Sequence, residues 1–103
     1  MKKIINGKVY NTETATWIAS YSNGLGRSDF AHCLEEMYKT RKGSYFIHGE
    51  GGGLSSWARP CGNGSTGGEG IVAVSESEAL DWLERHEETE AIEKHFSHIL
   101  EEA

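Results

Sequence analysis

The stretch EEMYKTRKGSYFIH, Glu35 to His48, reads as two short strands, Glu35 to Thr40 and Ser44 to His48, joined by the tight loop Arg41-Lys42-Gly43. Glycine closes that loop, at the point where a left-handed backbone is needed and a Cβ would be strained. An aromatic hairpin in the middle of a short chain makes local antiparallel pairing the basis of the fold.

On its N-terminal side, Thr14 to Tyr21 (TATWIASY) is rich in β-branched and aromatic residues and reads as a third strand. Strict alternation puts Ala15, Trp17, Ala19 and Tyr21 on one face and Thr14, Thr16, Ile18 and Ser20 on the other. Lys3-Ile4-Ile5 and Lys8-Val9-Tyr10 flank Asn6-Gly7, a pair that accepts positive φ at both centres of a type I′ turn, so the chain opens on another hairpin. Between them, the turn-rich link Asn23 to Asp29 leads into Phe30 to Glu36, which starts ambiguously, since Ser28 or Asp29 would also cap a helical turn.

On the C-terminal side, Gly70 to Val74 is a short apolar strand. Ser75 with Glu78 is a capping-box pattern, and a helix from Glu76 to about Glu87 follows, with Ala79, Leu80, Leu83 and Trp82 facing inward. Thr89 is expected to cap a second segment, in which Ile92, Phe96, Ile99 and Leu100 recur at helical spacing. The fold class expected is α+β, a small antiparallel sheet of about four to six strands with C-terminal helices. One domain spans 1–103, β-rich over 1–74 and helical and acidic over 75–103.

Composition supports a folded protein: 37% hydrophobic and 25% charged, with three Trp, four Tyr and three Phe. No apolar run approaches the ~20 residues that cross a bilayer, and Met1 to Gly7 is too short for a signal peptide. A cytoplasmic location is therefore expected, with no membrane partner, and Cys33 and Cys61 are expected to be thiols. Charge is uneven. Residues 1–75 carry eight Lys/Arg against six Asp/Glu, while residues 76–103 carry two against ten, so +2 and −8 make up the total of −6. A surface of that sign repels phosphate, which disfavours direct nucleic-acid binding there and suits a basic protein partner.

Several motifs resemble chemistry without its context. Gly62-Asn63-Gly64-Ser65-Thr66-Gly67 matches G-x-G-x-x-G, but it precedes a strand and follows no strand, the reverse of a dinucleotide site. No Gly-Lys-Ser/Thr completes a P-loop. His48, Glu50 and Cys61 admit a Cys61-dependent hydrolase, with His48 as base and Glu50 orienting it. His32, Cys33, His48 and Cys61 offer zinc-ligand types without zinc-ligand spacing. Neither reading is strong enough to displace a non-enzymatic one, so no catalytic residue, metal or cofactor is expected.

Two features carry the binding readings. Glu76, Asp81, Glu84, Glu87 and Glu88 belong to an acidic run that is either the solvated side of an amphipathic helix or a carboxylate array for a Lys/Arg-rich groove. Nine of the twenty-two residues from Gly49 to Gly70 are glycine, which implies either a mobile loop or one folded by close backbone approach. Leu54, Trp57 and Arg59 are unlike linker residues, so Leu54 or Trp57 is expected to pin the segment to the core, and Trp57 and Arg59 are candidate contacts to a partner. The alternative is a nucleotide site built from Gly51, Gly52 and Gly53 with His48, Glu50 and Arg59.

The combination of NGKVYNTETA (residues 6–15) with YKTRKGSYFIHGEGG (residues 38–52), followed by GGEGIVAVSESEALDWLERH, resembles a family of small proteins found in bacteria, phages and mobile elements, especially among Firmicutes. The resemblance covers about half of the chain and implies a single α+β domain with an antiparallel sheet. Its setting includes inhibitors of bacterial immunity, which implies an anti-CRISPR protein blocking a CRISPR effector such as Cas9. The family supplies no catalytic residues, and beyond His86 the segment Glu87 to Ala103 matches none of its motifs.

Overall fold

The computed structural model describes residues 1–26 and 28–103; Arg27, inside the Asn23 to Asp29 link, lies outside the described residues. Strands β1 (Lys2–Ile5) and β2 (Lys8–Asn11) form the opening hairpin, and Asn6 and Gly7 at its tip both have positive φ, 51° and 78°. Strands β3 (Thr16–Ser22), β4 (Cys33–Lys39), β5 (Tyr45–Gly51) and β8 (Gly68–Val74) form one antiparallel sheet in the order β3-β4-β5-β8. Between β5 and β8 lies a small hairpin of β6 (Arg59–Cys61) and β7 (Gly64–Thr66). Helices α1 (Glu76–Arg85) and α2 (Thr89–Phe96) follow, with a 3₁₀ turn at Ser97–Ile99. The class is α+β.

Alternation along β4 and β5 sends consecutive residues to opposite faces, and each face has its own partner. Met37 and Ile47 are register neighbours on the face covered by the helices, where they meet Ala79, Trp82, Leu83 and Phe96. Tyr38 and Phe46 are the next pair, on the other face, where Tyr10 of the opening hairpin meets Phe46 edge-on at 5.5 Å and Ile71 completes a smaller cluster. The molecule is therefore helices, sheet and hairpin in three layers. Phe46 and Phe96 are fully buried, one in each cluster, and truncating either to alanine should cost about 3–5 kcal/mol.

Four details differ from the sequence pattern. A bulge between Trp17 and Ala19 shifts the register of β3, so Ile18 and Ala19 are both buried and Trp17 is 54% exposed, its indole N–H donating to Ser20 at 3.0 Å. The glycine-rich region is not loop throughout: Gly62, with φ 57°, takes the first central place of the two-residue β6–β7 turn, where a positive φ is required. Segment 28–32 forms turns and not a helical turn of any length, with the Ala31 amide held by the Asp29 carboxylate at 2.8 Å. Finally, α2 begins after Glu88 with no side-chain cap, Thr89 being its first residue, and it ends at Phe96. Ile99 and Leu100 thus leave the apolar row and are exposed.

Candidate functional site

Glu35 lies on the helix-covered face of β4, between Tyr21 of β3 and Gly49 of β5 in register. Its two carboxylate oxygens accept different indoles: Trp57 Nε1–H donates to Oε2 at 2.7 Å, and Trp82 Nε1–H donates to Oε1 at 2.8 Å. Charge-assisted bonds of this length are among the stronger polar contacts in proteins. Room for Trp57 exists because position 49 is glycine; a Cβ there would collide with the indole ring. One carboxylate thus ties the glycine-rich segment and α1 to the sheet.

Around this clamp, His86 stacks on Tyr21 at 3.8 Å and meets the edge of Trp82 at 4.7 Å. Burial, reinforced by the Arg85 guanidinium and opposed by Glu35 and Glu88, holds His86 below the ordinary histidine range. Burial and the Glu35 charge push the Cys33 thiol up, against a hydrogen bond from Ser56, which makes Cys33 a poor nucleophile at neutral pH. A hollow of about 370 Å³ opens beside these groups, bordered by Tyr21, Glu35, Trp57, Trp82 and Arg85.

Helix α1 starts with a complete capping box: Ser75 Oγ accepts the Glu78 amide at 3.1 Å, and the Glu78 carboxylate accepts the Ser75 amide at 2.9 Å. The Ser75 backbone amide first, and then the Ser75 hydroxyl, hold the Glu78 carboxyl below its usual range. Because Ala79, Trp82 and Leu83 face the sheet, Glu78, Asp81 and Glu84, spaced by three, share the outward side with Arg85. The helix ends in a Schellman motif, Glu88 N–H to Leu83 O at 2.9 Å and Glu87 N–H to Glu84 O at 3.1 Å. Such motifs usually place glycine where Glu87 stands with φ 56°. On α2, Glu90 and Glu93 are exposed while Ile92 and Phe96 face inward. Among the described residues no carboxylate of the helical segment pairs with a Lys or Arg, and Glu76 Oε2 meets His98 Nε2 at 3.0 Å.

The remaining sequence-predicted residues are elsewhere. Trp57 packs against the core as expected, whereas Leu54 is 76% exposed. Arg59 is exposed and donates from Nη2 to the Glu69 carbonyl at 2.6 Å, fastening β6 to β8. His48 is on the sheet face away from the helices; its Nε2 meets Glu69 at 2.8 Å and its Nδ1 lies 3.9 Å from Glu36, so its ring is engaged by carboxylates and not by Cys61, which is exposed in β6. Glu50 is in register with Leu34 and Glu69. Gly51 and Gly53 lie against Ser55 and Ser65, and Gly52 against the Phe30 backbone, so the space beside these three glycines is filled by the chain itself. Among the described residues no three His, Cys, Asp or Glu side chains gather as metal ligands.

Sequence reasoning missed Glu35. The signal was present in Glu35-Glu36: two adjacent acids in a strand must point to opposite faces, so one of them faces the helix-covered side. Comparison of the chain with family models, curated proteins and solved structures found no match.

Proposed function

We propose that this protein is a non-enzymatic binding protein of a phage or mobile element, and that its helical layer occupies a basic, nucleic-acid-handling surface of a protein partner. The observation that carries the reading is the outward row of Asp81 and Glu84, continued by the exposed Glu87, flanked by Glu76 and followed by the half-buried Glu88. Among the described residues this row forms no ion pair with the protein's own Lys or Arg. An excess of carboxylates on a rigid helix, four acids including the capping Glu78 beside the single cation Arg85 over residues 78–87, would produce a field that steers a cationic partner and fixes its register.

Glu87 adds support. A non-glycine residue in the left-handed region costs roughly 1–2 kcal/mol, so a carboxylate held at that position stands at the expense of stability. The Glu35 clamp gives the layer rigidity, since Trp82 is fixed from below and the outward side of α1 is presented in one orientation. Trp57 contributes through that clamp, and Arg59, fastened to the Glu69 carbonyl, is exposed on β6. A domain of this size can bury a standard ~800 Å² per partner.

The resemblance to small proteins of phages and mobile elements makes a CRISPR effector such as Cas9 the first partner to test, in an anti-CRISPR role. Purified effector, with and without its guide, is mixed with the protein, and both co-elution and target-DNA cleavage are measured. Co-elution with loss of cleavage is the expected result; neither would contradict the choice of effector.

A further inference from the structure

On the side of the sheet away from the helices, the β1–β2 turn and β2 (Gly7, Lys8, Val9, Tyr10) face the β4–β5 turn (Thr40, Arg41, Lys42, Ser44) across a cleft of about 600 Å³ that Thr14 also borders. No Asp or Glu lines it. Lys8, Arg41 and Lys42 converge there from two separate parts of the chain, and among the described residues none of the three makes an ion pair or a side-chain hydrogen bond. Three unneutralised cations around one hollow repel each other, and an anion between them removes that repulsion.

The walls are ordered by the chain's own bonds. Thr40 and Ser44 close the β4–β5 turn through Thr40 N–H to Ser44 O at 2.8 Å and Ser44 N–H to Thr40 Oγ1 at 3.0 Å. Tyr10, 6% exposed and held edge-on by Phe46, fixes the opposite wall. The volume falls within the roughly 300–1,000 Å³ usual for small-molecule sites. Arg41 offers a planar fork suited to phosphate, the two lysines add point charges, and the Thr and Ser hydroxyls add donors. Val9, which borders the cleft and is exposed, provides an apolar contact for the organic half of a ligand.

We propose that this cleft binds a nucleotide carrying more than one phosphate, with Arg41, Lys42 and Lys8 on the phosphates. A free nucleotide is favoured over a nucleic-acid strand because residues 76–103 carry a net −8, which repels a long polyanion, whereas a compact anion is held by charges within about one Debye length, ~10 Å. The site is separate from the helical layer, so its loss leaves the partner reading intact.

The test is amide chemical-shift mapping of the full chain titrated with pyrophosphate and then with ATP at constant ionic strength, with a single-stranded oligonucleotide as a third probe. Shifts confined to residues 7–10, 14 and 40–44, and tighter binding of ATP than of the other two, are expected. Arg41→Ala with Lys42→Ala should weaken ATP binding by roughly tenfold or more without lowering the melting temperature. Shifts spread over Lys2, Arg85 and Lys94 as well, an undiminished affinity in the double variant, or an oligonucleotide that binds more tightly than ATP would each overturn the proposal.

Discussion

Glu35 accepts the indole N–H of Trp82 at 2.8 Å across 47 positions of sequence, and the other oxygen of the same carboxylate accepts Trp57. Removing the acceptor strands two part-buried donors at once. Glu35→Ala should cost about 3 kcal/mol and Glu35→Gln, which keeps one acceptor, about 1–2 kcal/mol. Urea unfolding followed by tryptophan fluorescence measures both; equal stability of Glu35→Ala and the parent would contradict the clamp.

Gly49 is glycine because Trp57 lies where its Cβ would be. Gly49→Ala should therefore cost roughly 2 kcal/mol by displacing the ring. Gly64, with a negative φ and its nearest neighbour 3.9 Å from an added Cβ, is the matched control, and Gly64→Ala should be close to neutral. Thermal melts of the pair decide it.

At Glu87 stability and binding should move in opposite directions. Glu87→Gly relieves the left-handed backbone and should raise stability by about 0.5–1 kcal/mol. The same change removes one carboxylate of the helical layer and should weaken partner binding. A variant that is less stable than the parent would contradict the backbone argument.

Stability should fall in mild acid. Burial first, then Arg85, holds His86 below the ordinary value of 6.5, and burial with Lys94 and Lys39 does the same for His95. The folded state thus prefers neutral imidazoles while the unfolded chain takes protons near 6.5, so the contribution is complete above that pH and erodes as pH drops toward the folded values. His86→Phe keeps a ring on Tyr21 but cannot titrate. Melting temperature against pH should decline less steeply for this variant from about pH 7 to pH 5, and parallel curves would contradict the assignment.

Where structure depends on neighbours in the chain, the sequence was legible. Asn6-Gly7, the Arg41-Lys42-Gly43 loop and the Ser75/Glu78 box carry local backbone chemistry that holds whatever surrounds it. The outward acids of α1 follow equally from helical period. Legibility ended where tertiary pairing decides. The β3 bulge that turns Trp17 outward depends on how β3 meets β4, and the β6–β7 hairpin is too short and polar to show a strand pattern. The glycine-rich segment left a mobile or a close-packed loop open; packing against Trp57 and Phe30 is what the fold uses. The cleft at Lys8, Arg41 and Lys42 has no sequence signature, because layer packing alone brings its two walls together.

The most direct measurement for the acidic helical layer is the affinity of the effector for the parent and for Asp81→Lys combined with Glu84→Lys. Both positions are exposed and lie outside the capping box and the Glu76–His98 pair, so the fold should survive the change. Calorimetric binding weakened by roughly a hundredfold, with a smaller dependence on salt, is the predicted result. An affinity and salt dependence equal to those of the parent would contradict it.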